Sequence, residues 1–302
     1  MKNKYTLQEF CEAVSRKNML HAKFLDNALS DITLEESDGF EKLLGFYIHR
    51  EESSLEKIVD RYLNMILMMI EEQKYFIESG KYRFSTFSEV ENCYKDPNYM
   101  KDYTVGLGLS VFLWRFHRRY RELFDKALLL SNNTGAYLEI GPGHGEYFVT
   151  AMRKTSFKKY TAIDISKTSV DLTQDYIRHS IPDTNKKYEV INEDVFNYCN
   201  PEPFDMVVMG EVLEHVETPN VFLRRIHKLA SDNAIIFITT AINAPQIDHI
   251  YQFNNLKEVT DLIQGERFVV LDSVVANINN LPLEKAEKRK VAINVGFIIK
   301  KC

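Results

Sequence analysis

Apolar positions follow two different periods in the two halves of the chain. Up to about residue 131 they recur mostly at three- and four-residue spacing, which is typical of amphipathic helices. From Gly135 onward, short runs rich in β-branched residues alternate with helical patterns, which favours a parallel sheet with crossover helices. The pattern predicts an all-helical N-terminal domain, 1–131, which serves as a lid and substrate domain, followed by an α/β domain, 132–302.

The clearest helical pattern lies in residues 53–79. Ser53 or Ser54 can cap the start of this helix, and Gly80 can end it. One apolar stripe runs along it, at Leu55, Ile58, Tyr62, Ile66, Met69 and Phe76. The stripe predicts the central helix of a small bundle. Because methionine adapts to varied partners, the alternative is an oligomer or substrate-tunnel surface, and the N-terminal helices are the candidate homodimer contact.

Residues 84–104 are rich in aromatic and turn-forming residues, and a long helix is predicted to follow over 105–130. That helix carries Trp114, the only tryptophan, and a cluster of basic residues over 115–121. The cluster is interpreted either as a solvated face or as a site for an anionic group.

The second half predicts seven strands, at 136–140, 160–165, 188–195, 204–209, 234–240, 268–276 and 291–299. Helical patterns follow the first, second, fourth and fifth of these strands, the last two at about 218–229 and 255–264. The charged linker EKAEKRK between the final two strands shows no convincing helix, so these strands are expected to pair antiparallel.

Three glycines, Gly141, Gly143 and Gly145, fall between the first strand and the next helix. Glycine there lets the backbone turn tightly and pass close to a ligand that faces the helix amides. No Gly-Lys-Ser/Thr follows, so the phosphate loop of nucleotide hydrolases does not fit. Glu146 stands where a dinucleotide fingerprint requires a small residue.

Acidic residues follow the next two strands. Asp164 ends the second strand, where a carboxylate can accept both hydroxyls of a ribose, and Asp194 ends the third, where it can meet an adenine amino group. Two acids without a phosphate site suit a nucleoside that carries no pyrophosphate.

These motifs, LEIGPGHGE, AIDIS, NEDV and FDMVVMGEVLEHV, occur in this order over about 135–300. Together they resemble the class I S-adenosylmethionine (SAM)-dependent methyltransferases. The resemblance implies a seven-stranded, doubly wound, Rossmann-like sheet that binds SAM, and an enzyme that transfers its methyl group. It implies that the glycine loop holds the methionine part, Asp164 the ribose, and Asp194 with Val195 the adenine, while Glu139 orders the loop and the cofactor amine. No Asn/Asp-Pro-Pro-Tyr follows the fourth strand, which disfavours an amino methyltransferase of the DNA type.

Aromatic residues before the nucleotide fold are candidates to close over the cofactor and exclude water. The candidates are Tyr94, Tyr99, Tyr103 and Trp114, of which Tyr103 is also a predicted cofactor-binding residue.

The fourth strand leads into Glu211, Glu214 and His215, whose spacing can place them on one face of a helical turn. His249 follows the fifth strand, and loops after neighbouring strands meet at the carboxyl edge of a doubly wound sheet. The four groups can bind Mg²⁺, Mn²⁺, Fe²⁺ or Zn²⁺, and two nitrogens favour the transition metals. The pattern is similar to the ubiquinone-pathway O-methyltransferases and to the small-RNA 3′-terminal 2′-O-methyltransferases. Three interpretations stay open: a metal site, a metal-free base at His215 or His249, and a structural role.

The leading functional prediction is O-methylation of a small-molecule hydroxyl in metabolite or natural-product biosynthesis. The alternatives are an RNA ribose 2′-O-methyltransferase, a metal-free small-molecule N- or O-methyltransferase that uses a histidine base, and a binding protein that keeps the cofactor without turnover. A formal net charge of −5 and a pI of about 6.0 oppose a nucleic-acid partner.

Composition agrees with a globular protein, with 45% apolar residues and 27% charged residues. Its four cysteines form no Cys-x-x-Cys, which suits a reducing cytosol. No signal peptide is visible, and the most apolar stretch, Tyr62–Ile70, is too short to span a bilayer. A cytoplasmic protein without a membrane partner is therefore expected.

Overall fold

The computed structural model of the chain describes residues 5–199, 202–277 and 281–302. Within them the N-terminal part consists of helices alone. These are α1 Leu7–Lys17, α2 Met19–Ala28, α3 Leu34–Arg50, α4 Leu55–Ser79, α5 Phe87–Lys95, α6 Pro97–Leu113 and α7 Arg115–Leu130. No helix in the described part of the chain is long and apolar enough to cross a membrane.

The helix predicted over 53–79 is confirmed as α4. The Ser54 hydroxyl accepts a hydrogen bond from the Lys57 amide at 3.4 Å and so caps its first turn. Gly80, with φ of +75°, ends it in the left-handed conformation that glycine adopts without strain.

The prediction of a single helix over 105–130 is wrong. The chain forms two helices there, and the first of them already begins at Pro97. The Asp96 carboxylate caps α6 by accepting from the Asn98 amide at 2.9 Å, and Pro97 occupies the first helical position, where proline is favourable. Trp114 is extended and separates the two helices. Its indole N–H donates to the Tyr62 hydroxyl at 2.9 Å, a tertiary contact that local patterns do not reveal.

In the basic cluster at the start of α7, Arg119 is exposed, whereas other arginines form ion pairs within the protein. Arg118 is buried and pairs with Asp31 and Glu36. Arg121 pairs with the buried carboxylate of Glu146 at 2.6 Å. These guanidinium groups therefore hold the helices together.

The second half contains the strands β1 Ala136–Ile140, β2 Lys159–Asp164, β3 Tyr188–Asn192, β4 Phe204–Gly210, β5 Ala230–Ile242, β6 Phe268–Asn277 and β7 Ile293–Lys301. Between them lie the helices α8 Glu146–Lys154, α9 Lys167–Ser180, α10 Pro219–Leu229, α11 Leu256–Gly265 and α12 Leu283–Lys288. The short helix α12 corrects the expectation that the charged linker before β7 has no helix.

One seven-stranded sheet has the order β3-β2-β1-β4-β5-β7-β6. β1 to β5 are parallel, and β7 is antiparallel to both β5 and β6. The predicted doubly wound sheet and its antiparallel end are thus confirmed. The order reverses beside β1 and β4, where such sheets open a crevice at their carboxyl edge.

The helical part and the sheet share one hydrophobic core. Phe124 of α7 lies with its ring centroid 5.2 Å from that of Phe237 of β5, and Tyr120 and Leu123 pack over Gly296 of β7. Buried residues of α1, α3, α4 and α6 continue this core away from the sheet. The helices are therefore fixed above the carboxyl edge of the sheet, while the domain boundary near 131 stays a prediction.

Candidate active site

A cavity of about 1740 Å³ lies between the carboxyl edge of the sheet and the N-terminal helices. Its lining contains most of the residues predicted to bind the cofactor or a metal. These are Glu139, Gly141, Gly143, Asp164, Asp194, Val195, Tyr103, Glu211 and His215. The remaining predicted residues, Gly145, Glu214 and His249, are not part of the lining, and Glu214 and His249 are buried beside it.

The glycine loop adopts backbone angles that favour glycine. Gly141, Gly143 and Gly145 have φ of +67°, +52° and +78°. A Cβ atom at Gly141 would lie 2.9 Å from a methyl group of Val212, and one at Gly145 would lie 3.2 Å from Cα of Thr173. The loop thus requires glycine for conformation at all three positions and for close packing at two.

Asp164 ends β2 and reaches the glycine loop. Its carboxylate accepts from the Ser166 amide at 2.8 Å and from the Gly143 amide at 3.4 Å. Burial raises the pKa of this carboxyl from 3.8 to about 6, although both amide hydrogen bonds oppose the rise. The carboxylate oxygens can therefore accept further hydrogen bonds from a ligand in the cavity. Burial of the charge, in turn, destabilises the folded protein.

Glu139 lies on β1 at the floor of the cavity. Its carboxyl accepts from the Tyr137 hydroxyl at 2.6 Å. Burial raises its pKa to about 8, so the group is largely protonated at neutral pH in the cofactor-free protein. A cationic group beside it would favour the ionised form.

The third predicted strand ends earlier than expected, at Asn192, so Asp194 and Val195 lie in the turn that follows it. Asp194 accepts from the Phe196 amide at 2.9 Å, which fixes the turn, and Val195 is buried. Tyr103 enters the cavity from α6 and stacks on Tyr99, with ring centroids 5.6 Å apart. These residues approach the cavity from opposite sides.

Glu211 does not lie on a helical turn, because the helical part comprises only the short 3₁₀ turn Leu213–His215. Glu211 has φ of +52°, which is uncommon for a residue with a side chain, and its amide donates to Thr239. The Glu214 carboxyl accepts from the Thr240 hydroxyl at 2.6 Å. The structure thus still brings Glu211 and Glu214 together, and burial raises the pKa of both carboxyls.

Both histidines of the cluster carry their proton on Nδ1. The carbonyl oxygen of Asp248 lies 3.0 Å from Nδ1 of His215, and that of Ala244 lies 2.6 Å from Nδ1 of His249. Because a carbonyl oxygen can only accept, each Nδ1 must donate, so Nε2 is the nitrogen that has a free lone pair in the neutral form of either ring. Burial holds the pKa of His249 well below its usual value, so that ring is neutral.

Several buried polar atoms of this cluster have no hydrogen-bond partner. They are Oε1 of Glu211, Oε1 of Glu214, Nε2 of His249 and both carboxylate oxygens of Asp248. One ligand atom each from Glu214, His215 and His249 lies within 4.8 Å of the others. Glu211, the fourth predicted ligand, does not belong to this group. Buried polar groups are normally paired, so the unpaired acceptors of Glu214 and His249 fit a cation or a donor group of a ligand.

Two further polar groups at this site, those of Asp248 and Tyr82, were not predicted from the sequence. Asp248 is fully buried, and its carboxylate lies 3.5 Å from Nδ1 of His215. The Tyr82 hydroxyl accepts from the Ala244 amide at 2.9 Å and so supports the loop that carries His249. Asp248 adjoins His249 in the sequence and was detectable on that ground, whereas Tyr82 has no local signal.

His117 and His144 also line the cavity and were not predicted. The Ser110 hydroxyl donates to the Leu107 carbonyl, so Nδ1 of His117 donates to that hydroxyl at 2.9 Å. Nδ1 of His144 accepts from the Glu146 amide at 3.1 Å. Burial lowers the pKa of His117 to about 3 and that of His144 to about 4, so both rings are neutral.

The helix α5 contacts the loop after β4 directly. The Tyr94 hydroxyl lies 2.9 Å from Nδ1 of His215, and the Phe87 amide donates to the Glu217 carboxylate at 2.7 Å. Trp114 also lines the cavity, although its indole N–H is engaged in the helical core.

Comparison with protein families matches residues 113–266 to the methyltransferase domain. With this sheet, the match defines a class I SAM-dependent methyltransferase, an enzyme that binds SAM. The chain belongs to the methyltransferase-domain family, whose model covers half of its length. The similarity to metal-dependent O-methyltransferases is not established by this match.

Among solved structures, mitomycin 7-O-methyltransferase MmcR is similar, with a TM-score of 0.53 and 12% identity over 79% of this chain and 68% of that chain. A SAM-dependent methyltransferase from Thiobacillus denitrificans in complex with S-adenosyl-L-homocysteine has a TM-score of 0.45 and 14% identity over 61% and 91% of the two chains. Cyclopropane synthase MmaA2 from Mycobacterium tuberculosis has a TM-score of 0.48 and 14% identity over 63% and 85%. Such identities show the fold alone. No curated protein matches this chain by sequence.

Proposed function

We propose that this enzyme transfers the methyl group of SAM to a hydroxyl oxygen of a small molecule. The observation that carries the proposal is the group of buried, unpartnered lone pairs on Glu211, Glu214 and His249 beside the cavity. A hydroxyl must lose its proton to become a good nucleophile, and a base or a cation assists that loss. An amine with a free lone pair needs neither.

The proposed cofactor site uses the end of the cavity that is formed by β1, β2 and β3. The glycine loop lies beside the methionine part, and Asp164 accepts from the ribose hydroxyls. Asp194 and Val195 border the adenine, Glu139 faces the cofactor amine, and Tyr103 covers the cofactor from α6. The three positive φ angles of the loop and the acceptor capacity of Asp164 support this placement.

The cluster of Glu211, Glu214, His215 and His249 is proposed to hold a divalent cation. Its donor set of two carboxylates and two imidazoles fits Mn²⁺, Fe²⁺ or Zn²⁺ better than Mg²⁺. The hydrogen bond from Nδ1 of His249 to Ala244 fixes the ring with Nε2 toward the cluster, as outer partners of metal-binding histidines do. A bound cation would supply positive charge that lowers the pKa of a nearby hydroxyl.

A metal-free histidine base is the second candidate, and the tautomer of His215 favours it. Nδ1 donates to the Asp248 carbonyl, and His215 lines the cavity, so Nε2 is available to take a proton there. In this reaction the acceptor oxygen forms a bond to the methyl carbon while the sulfur–carbon bond breaks. The electron pair of that bond goes to sulfur, and the hydroxyl proton goes to Nε2 of His215.

The helix α5 is proposed to act as a lid over the acceptor. It touches the cluster through Tyr94 and the following loop through Phe87, so its position is coupled to the groups that assist proton removal. Closure would exclude water from the cofactor.

The test uses SAM with a labelled methyl group and a panel of phenols and alcohols, with mass spectrometry of the products. Labelled methyl ethers are the expected result. Labelled products that carry the methyl group only on nitrogen or carbon would refute O-methylation.

The role of the cation is tested separately. Protein loaded with Mn²⁺ and then dialysed is expected to retain about one ion per chain, and Glu214→Gln is expected to lose it. Lys301 pairs with Asp232 far from the cluster, so Asp232→Asn is the matched control and should keep the ion. Absence of bound metal together with full turnover in a chelator would leave the histidine base as the mechanism.

A further inference from the structure

The cavity is larger than the cofactor and a small acceptor require. Pockets for single drug-sized ligands occupy roughly 300–1,000 Å³, whereas this cavity measures about 1740 Å³. The strand ends and the glycine loop line only one side of it. The opposite side is formed by the helices α2, α4 and α6.

Two helix faces make up most of that opposite wall. On α4 the lining residues Ile66, Ile70, Gln73 and Ile77 recur at helical spacing and therefore share one face. On α6 the residues Met100, Thr104, Leu107 and Val111 do the same. Each face runs for three turns, or roughly 16 Å at 1.5 Å per residue.

Several apolar side chains on this wall are uncovered. Ile70 is 44% exposed, Ile77 is 73% exposed, and Leu20 of α2 is 81% exposed. Water at these side chains is displaced favourably when an apolar ligand covers them. They line the same cavity as the cofactor residues, so the ligand that covers them is one that reaches the site of methyl transfer.

Polar recognition along this wall is sparse. The ring of His21 is engaged with the Tyr62 hydroxyl at 2.8 Å, and the Thr104 hydroxyl donates to the Met100 carbonyl at 2.6 Å. Both groups are thus satisfied within the protein and offer little to a polar ligand. Gln73 is the other polar side chain on these two helix faces, so the wall suits a mainly apolar chain.

We propose that the methyl acceptor carries a long apolar chain, which lies against the facing residues of α4 and α6. Its hydroxyl-bearing head then lies at the end of the cavity that His215 lines. The inference rests on the proposed O-methylation for the identity of the head group, but the chain site is defined by the wall alone. It adds a substrate class: hydroxylated compounds with an alkyl, acyl or isoprenoid tail of up to about 16 Å.

The test is a titration with 1-butanol, 1-hexanol, 1-octanol and 1-decanol, read by intrinsic fluorescence. Trp114 is the only tryptophan and lines the cavity, so its emission reports occupancy. Affinity is expected to rise roughly two- to fourfold for each added methylene group. Ile70→Asp is expected to weaken 1-decanol binding at least tenfold and to leave 1-butanol nearly unchanged.

The matched control is Leu67→Asp. Leu67 lies on the same helix and is 52% exposed, close to the value for Ile70, but it does not line the cavity. The Leu67→Asp variant should bind all four alcohols as the unmodified protein does. Cofactor binding by calorimetry, unchanged in both variants, verifies that they are folded.

Affinity that does not depend on chain length, or equal 1-decanol binding by Ile70→Asp and Leu67→Asp, would overturn the proposal. Light scattering that shows a dimer disrupted only by Ile70→Asp would instead assign the wall to a second copy of the chain. Chain-length-dependent binding without any hydroxyl methylation would retain the chain site and reject the proposed O-methylation. Methylation of short hydroxyl compounds with no chain-length dependence would do the reverse.

Discussion

Replacement of Asp164 by asparagine is expected to change stability and cofactor affinity in opposite directions. The carboxyl is buried, and its pKa rises from 3.8 to about 6 in the folded, cofactor-free protein. Because the folded-state pKa lies above the unfolded value, the folded state is penalised as pH rises from 3.8 through about 6, and the penalty is complete above that range. At about 1.4 kcal/mol per pH unit, the penalty near pH 7.5 is about 3 kcal/mol.

Asparagine removes this penalty but also removes one hydrogen bond. Its oxygen can still accept from the Ser166 amide, whereas its NH₂ group cannot accept from the Gly143 amide, which costs about 1 kcal/mol. Asp164→Asn should therefore stabilise the cofactor-free protein by about 1–2 kcal/mol at pH 7.5, and most of this gain should vanish at pH 4.5. Urea unfolding at the two pH values measures it.

The same variant should bind S-adenosylhomocysteine more weakly. A hydrogen bond to a charged group contributes about 1.5–3 kcal/mol, which corresponds to roughly 10- to 150-fold in Kd. Calorimetry measures the affinity, and Asp125→Asn, which alters an exposed pair with Lys154, should change neither quantity by more than about 0.5 kcal/mol. A stabilised variant with unaltered affinity would refute the ribose role, and a destabilised variant with weakened affinity would refute the electrostatic penalty.

Three further outcomes are expected. His249→Ala should abolish turnover but change the affinity for S-adenosylhomocysteine less than twofold in calorimetry, because this ring belongs to the acceptor side. Comparable losses of turnover and of cofactor affinity would contradict the separation of the acceptor site from the cofactor site. Gly145→Ala should lower the free energy of unfolding by about 1–3 kcal/mol in urea melts because of its φ of +78°, whereas Gly265→Ala, which has open space around it, should be neutral or slightly stabilising. Amide hydrogen exchange in α5 should slow when S-adenosylhomocysteine binds, since Tyr94 contacts the site, and unchanged exchange would argue against a lid.

Much of the fold was predictable because its signals are local. The glycine loop required glycine at Gly141, Gly143 and Gly145 for backbone reasons, and the three positive φ angles meet that requirement. Asp164 was identifiable because it ends a strand at a known edge of the sheet. The order of the strands alone predicted that His249 lies near His215, and their ring centroids lie 4.7 Å apart.

The remaining features depend on contacts between distant segments. Glu211 was placed on a helical turn from its spacing, but its amide bonds to Thr239 on the neighbouring strand and holds it at positive φ. The break at Trp114 accompanies a hydrogen bond to Tyr62. No pattern within a helix or a loop contains information about such partners, so these features were missed.

The position of β7 has a consequence for how the polypeptide acquires its structure during synthesis. β7 lies between β5 and β6, so β5 lacks its second neighbour, and β6 lacks its neighbour in the sheet, until residues 293–301 have been made. A nascent chain that lacks these residues exposes an unpaired edge of β5 and leaves β6 without a partner in the sheet. Val295, Phe297 and Ile299 of β7 are also buried in the core on completion. A stop codon just before this strand would therefore remove the strand that joins β6 to the rest of the sheet, and the truncated product would present an aggregation-prone edge to other chains.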